Sequence, residues 1–63
     1  MDRLLWREEA AAWLGVPAKT LATWAYEGRG PGYYRLGRRV AYAESELLSW
    51  LETRRVDPED GRR

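Results

Sequence analysis

The sequence predicts a mainly α domain with a small β-hairpin, arranged as a winged helix-turn-helix: two short helices, a hairpin wing and a C-terminal packing helix. Three observations carry that expectation. Two helix-patterned stretches are separated by little more than Gly15-Val16-Pro17, the tight turn that such a pair requires. Two β-prone runs, Tyr33-Tyr34-Arg35-Leu36 and Val40-Ala41-Tyr42, flank Gly37-Arg38-Arg39, which reads as a hairpin. A final stretch carries Leu47, Leu48, Trp50 and Leu51 on one face against Ser45, Glu46, Ser49, Glu52 and Thr53 on the other, the pattern of a packing helix.

The first helix is expected from Arg7 or Glu8 to Leu14. Ala11 and Leu14, joined by Ala10 and Trp13, make its apolar strip, and Glu8 and Glu9 sit at the positive end of its dipole. Gly15 closes it. The second helix begins at Pro17 or Ala18, where proline is tolerated because the first amides have no partner within the helix, and Gly28 ends it. At about 100° per residue, Leu21, Trp24 and Ala25 fall on one side and Lys19, Ala22, Thr23 and Tyr26 on the other. One face can bury while the other touches a partner. Arg29-Gly30-Pro31-Gly32 is a connection.

Side-chain parity favours a three-residue hairpin loop, pairing Leu36 with Val40 and Tyr34 with Tyr42, over a two-residue loop that mixes Leu36 with Arg39 on one face. Gly37 suits the end of such a loop better than its start, but either register leaves the tip basic. The last helix runs from Glu44 or Ser45 to Arg55. Residues 1–55 are thus expected to form one domain and residues 56–63 a flexible polar tail.

With 63 residues, most apolar side chains are committed to a small core, leaving little for a catalytic cavity. Cysteine and histidine are absent, which removes thiol nucleophiles, the usual zinc sites and the commonest general base. The expectation is therefore a cytoplasmic non-enzyme with no catalytic residue, metal or cofactor, since no apolar run approaches the roughly 20 residues of a membrane span. Net charge is only +1, yet residues 29–42 carry Arg29, Arg35, Arg38 and Arg39 with no acid, and residues 43–53 carry Glu44, Glu46 and Glu52 with no base. A basic wing opposite an acidic side offers nucleic acid a surface and lets copies associate head to tail.

In this arrangement the second helix is the one placed in a major groove. Its candidate DNA-binding residues are Ala18, Lys19, Thr20, Ala22, Thr23 and Tyr26: Lys19 suits phosphate or guanine, Thr20 offers a hydroxyl near the helix start, and Ala22 suits a thymine methyl. In the wing, Arg35, Arg38 and Arg39 are candidates for phosphate or a narrow minor groove, with Arg29 a further phosphate candidate. Trp24 and Trp50 are read as core, Trp13 as core or its edge, and Trp6 as a packing staple or part of a partner surface.

Leu5-Trp6-Arg7-Glu8-Glu9-Ala10-Ala11-Ala12-Trp13-Leu14-Gly15-Val16, Lys19-Thr20-Leu21 through Trp24 to Gly28, Gly30-Pro31, Leu36 to Tyr42, Ser45-Glu46-Leu47 and Trp50-Leu51 together give an ordered series. Over about residues 4–53 it resembles the excisionase and AlpA-like small winged-helix proteins, relatives of the MerR-type DNA-binding domain. The resemblance implies a protein that binds double-stranded DNA at repeated sites beside an attachment site, bends it and promotes excision by an integrase, which it contacts as a possible partner. An AlpA-like transcriptional regulator is the alternative, a phage packaging domain a more distant one, and a protein-interaction module without DNA binding belongs to a different class. The chain departs from the family in having Trp6 and Pro17 where side-chain caps are usual. It also has Thr23, Tyr26, Ala41, Ala43 and Glu44 where arginines tend to stand, which implies weaker electrostatic affinity and a need for cooperation between copies.

Overall fold

A computed structural model describes residues 2–58. Strand β1 (Leu4–Trp6) runs into helix α1 (Arg7–Leu14), and helix α2 (Ala18–Tyr26) follows a short turn. Strands β2 (Tyr34–Leu36) and β3 (Arg39–Ala43) form the hairpin, and helix α3 (Glu44–Thr53) leaves β3 directly. The result is a winged helix-turn-helix, mainly α, with a three-stranded antiparallel sheet in the order β1-β3-β2.

Strand β1 has no signature in the sequence, because three residues are too few for a two-residue period to show. Its pairing of Leu4, Leu5 and Trp6 with Ala43, Tyr42 and Ala41 makes β3 the central strand, and Val40 to Ala43 are all buried. The hairpin register also corrects the expected one. Tyr34 pairs with Ala41, Arg35 with Val40 and Leu36 with Arg39, so the loop is the two residues Gly37-Arg38. Side-chain parity misleads here because an apolar side chain and an arginine do share a face, the outer face of the sheet, which is itself largely apolar. Gly37 has φ 65 and no non-glycine residue among the described residues has positive φ, which is the type II′ pattern with glycine first, whose twist matches the flanking strands.

The pairing places Leu5, Val40 and Tyr42 on the inner face of the sheet. There they join Ala10 and Ala11 of α1, Leu21 of α2 and Leu47 of α3 in one core cluster, against which Leu14, Val16, Ala18 and Trp24 pack. Burying a leucine-sized side chain contributes about 1.5–3 kcal/mol. The ion pairs among the described residues, all between exposed side chains at 3.4–3.9 Å, contribute much less each, so the core holds the fold.

Helix ends are closed largely by backbone. At the end of α1, Gly15 lies in the left-handed region at φ 78, its N–H donates to the Ala12 carbonyl and the Val16 N–H to the Ala11 carbonyl. These are the paired bonds of a Schellman motif, with Val16 supplying the apolar contact. Trp6 gives α1 no side-chain cap, but the Glu9 carboxylate accepts the Trp6 N–H at 2.8 Å, half of a capping box. Ala43, the residue before α3, has no side-chain hydrogen bond to cap the helix with. The segment before β1 substitutes: the Arg3 carbonyl accepts the Glu44 N–H at 2.8 Å, and the Asp2 carboxylate accepts the Ser45 N–H and hydroxyl.

Two packing expectations change. On α3 Leu47 is buried and Trp50 half-buried, whereas Leu48 and Leu51 are exposed. Trp13 on α1 is also exposed. Val56, Asp57 and Pro58 of the expected tail are exposed, and residues 59–63 lie outside the described residues. Among the described residues no helix is long and apolar enough to cross a membrane.

Candidate nucleic-acid interface

Helix α2 is fixed along one side and free along the other. Leu21 is fully buried, and Trp24 stacks on Trp50 of α3 with ring centroids 5.5 Å apart at 43°. The C-terminal end is closed by the Gly28 N–H donating to the Ala25 carbonyl at 3.2 Å and the Arg29 N–H to the Trp24 carbonyl at 2.8 Å. With those anchors set, Lys19, Thr23 and Tyr26 are exposed in a row, and Tyr26 is 92% accessible. Thr20 and Ala22 are half-buried at the margins of this ridge. Ala18 is half-buried and packs against the core cluster, so the candidates do not form one uniform surface. The Thr23 hydroxyl donates to the Lys19 carbonyl at 3.0 Å, which leaves its oxygen lone pairs and methyl group facing outward.

The wing separates its arginines into two kinds. Arg38 occupies the second loop position and Arg35 stands opposite Val40. Both are exposed, and neither enters an ion pair among the described residues. Arg39 is held: its guanidinium lies 3.8 Å from the centroid of the Trp6 ring, with Glu8 at 3.9 Å. Arg29, in the connection after α2, pairs with Glu27 at 3.5 Å. The clasp of Trp6 on Arg39 escapes sequence reasoning because the two positions lie far apart in the chain and the strand that aligns them leaves no local pattern.

A family model described as a helix-turn-helix domain matches residues 5–55, from within β1 to just beyond α3. The chain belongs to the helix-turn-helix domain family. No curated protein gives a significant sequence match. A helix-turn-helix domain has DNA as its partner class, and in this one the second helix presents its exposed ridge away from the core while the hairpin carries positive charge with no ion-pair partner among the described residues.

Two titratable groups perturbed among the described residues belong to the framework of the helix-turn-helix domain. Burial pushes the Tyr42 hydroxyl up, opposed by the neighbouring Arg7 guanidinium. The Asp2 carboxyl is lowered by its hydrogen bond to the Ser45 side chain.

Proposed function

We propose that this domain is an architectural DNA-binding factor of the excisionase type. In this reading it binds duplex DNA at repeated sites beside an attachment site of a phage or integrative element, bends the duplex and promotes excision by an integrase without performing chemistry itself. Helix α2 lies in the major groove, with Lys19, Thr20, Thr23 and Tyr26 toward base edges and phosphates, while Arg35 and Arg38 follow the backbone beside it. The observation that carries the reading is the exposed row Lys19, Thr23, Tyr26 on a helix anchored by Leu21 and Trp24, next to a hairpin whose Arg35 and Arg38 are exposed and have no ion-pair partner among the described residues.

Few cations face outward, so one copy is expected to bind weakly and to gain occupancy from neighbours. Bending then accumulates as copies load. The experiment is a titration of a duplex carrying the natural binding region, following stoichiometry and bend angle together. Stepwise loading with rising curvature is the expected result. One copy bound without cooperativity to straight DNA would overturn the architectural reading and leave that of a transcriptional regulator.

A further inference from the structure

Helix α1 carries a cation where its own pattern calls for an apolar side chain. Ala10 and Ala11 are buried and Leu14 packs against the core cluster. Arg7, which precedes them by three, four and seven residues, falls on the same strip. It is half-buried, and its Nε is buried with no hydrogen-bond partner among the described residues. None of the ion pairs among the described residues includes it. The two carboxylates that follow it are engaged elsewhere, Glu8 at 3.9 Å from Arg39 and Glu9 accepting the Trp6 N–H at 2.8 Å. The neighbouring Tyr42 hydroxyl is pushed up by burial, so it stays a neutral phenol and brings no counter-charge. A buried donor without a partner costs stability, and a cation in the first turn of a helix opposes the dipole. An anion arriving at Arg7 relieves both costs.

The sheet supplies a second cation at the same level. Trp6 pairs with Ala41, so Arg7, the next residue, leaves β1 level with Val40, whose partner on the other side is Arg35. Val40 belongs to the inner face, and its cross-strand partner Arg35 shares that face. With neighbouring strands about 4.8 Å apart, Arg7 and Arg35 flank Val40 at a separation on the order of 10 Å, which two arginine side chains can close on one anion. Tyr33, two residues before Arg35 and so on the same face, has its ring centroid 5.9 Å from that of Tyr42. Arg35 is exposed and enters no ion pair among the described residues, so neither cation has a carboxylate to hold it.

We propose that Arg7 and Arg35 together grip one backbone phosphate of the duplex, between the start of α1 and the inner side of the wing. The planar guanidinium fork matches a phosphate with two parallel hydrogen bonds, and the Arg7 Nε–H is a donor that lacks one. In a helix-turn-helix the helix before the recognition helix crosses the DNA backbone, which suits a phosphate contact at the first residue of α1. A carboxylate of a partner protein offers similar oxygens, but Arg35 belongs to the same hairpin as Arg38, the side read as facing DNA. The inference rests on that reading of the wing. It adds to the interface a residue whose place on the buried strip of α1 sets it apart from the exposed bases.

Salt titrations on a random-sequence duplex, run beside thermal melts of the free protein, test the proposal. Arg7→Met keeps an unbranched stem and removes the guanidinium. It should melt at or above the wild-type temperature, because the unpartnered donor is gone. It should nevertheless bind about tenfold more weakly at low salt, with a flatter dependence of log affinity on log salt. Arg7→Lys should keep the slope and lose part of the affinity, since the charge remains and the planar fork does not. Arg7→Gln serves if Arg7→Met disturbs the fold. Combining Arg7→Met with Arg35→Ala should cost less than the two single losses multiplied, because one phosphate is shared. Wild-type affinity and slope in Arg7→Met would overturn the proposal, and a lowered melting temperature with them would make Arg7 a structural residue. Losses that multiply would put the two arginines on separate groups and overturn the shared grip. Both results leave DNA binding by the domain standing, whereas a wild type that binds no duplex would remove that reading and this one together.

Discussion

The Arg39 guanidinium lies over the Trp6 ring at 3.8 Å from its centroid. The two residues sit on neighbouring strands, Arg39 at the start of β3 beside the hairpin loop and Trp6 at the end of β1, so the stack ties the tip end of the wing to the entry of α1. A cation over an exposed aromatic face contributes about 0.5–1 kcal/mol. The Glu8 partner at 3.9 Å, between exposed side chains, adds little. Arg39→Ala and Trp6→Leu should therefore each lower the melting temperature by a few degrees, and the double variant should cost less than the sum of the two single variants. Strict additivity in a thermal-melt cycle would show that the stack contributes nothing.

The free arginines should behave differently. Arg38 and Arg35 have no ion-pair partner among the described residues, so Arg38→Ala should leave the melting temperature unchanged. It should flatten the dependence of log affinity on log salt by about one unit, the release of one phosphate counterion. The effect should be similar on specific and random duplexes, because phosphate contacts carry little base identity. Fluorescence titrations at several salt concentrations decide it, and an unchanged slope would place Arg38 away from the backbone.

Asp2 supplies α3 with the cap that Ala43 lacks, accepting the Ser45 N–H at 3.3 Å as well as its hydroxyl. The bond to the Ser45 side chain lowers the Asp2 carboxyl below its ordinary value of 3.8. A carboxyl depressed in the folded state stabilises above its unfolded value, and that contribution disappears as pH falls through the folded one. Asp2→Ala should thus melt below the wild type at neutral pH, and the gap should close as pH drops beneath about 3.8. A gap that persists at lower pH would mean that the carboxylate charge is not what stabilises the start of α3.

The parts of this fold visible in sequence are those encoded by local chemistry. Glycine at 15 and 28 and the apolar spacing of Leu21 and Trp24 act within a few residues, so both helices and the outward ridge of α2 can be read directly. What escapes depends on partners far along the chain. β1 is a strand only because β3 is there to pair with it, and once β3 is central its residues are buried on both faces, so alternation no longer identifies the hairpin register. Leu48 and Leu51 carry the same helical signature as Leu47, but only part of the apolar face of α3 is covered by the sheet and its neighbours. On the interface, spacing identifies Lys19, Thr23 and Tyr26 as facing away from the core, while the difference between Arg38 and Arg39 requires the position of Trp6.

Helix α2 divides fold from recognition within nine residues, and substitutions on its two sides should separate the two. Trp24 stacks on Trp50 and packs against the core cluster, so Trp24→Ala should cost about 3 kcal/mol, a large share of the stability of a small domain. Thr23→Ala removes only an exposed bond to the Lys19 carbonyl and replaces a β-branched residue by the best helix former, so its melting temperature should stay level or rise slightly. Lys19→Ala should likewise fold normally. In competition binding, however, Lys19→Ala and Thr23→Ala should weaken the specific site more than random duplex, by about 1–3 kcal/mol where the side chain reads a base edge. Equal weakening on both duplexes would make Lys19 and Thr23 positioning contacts to phosphate. A melted Thr23→Ala would show that the outward side of α2 is in fact packed, and would remove the ridge on which recognition depends.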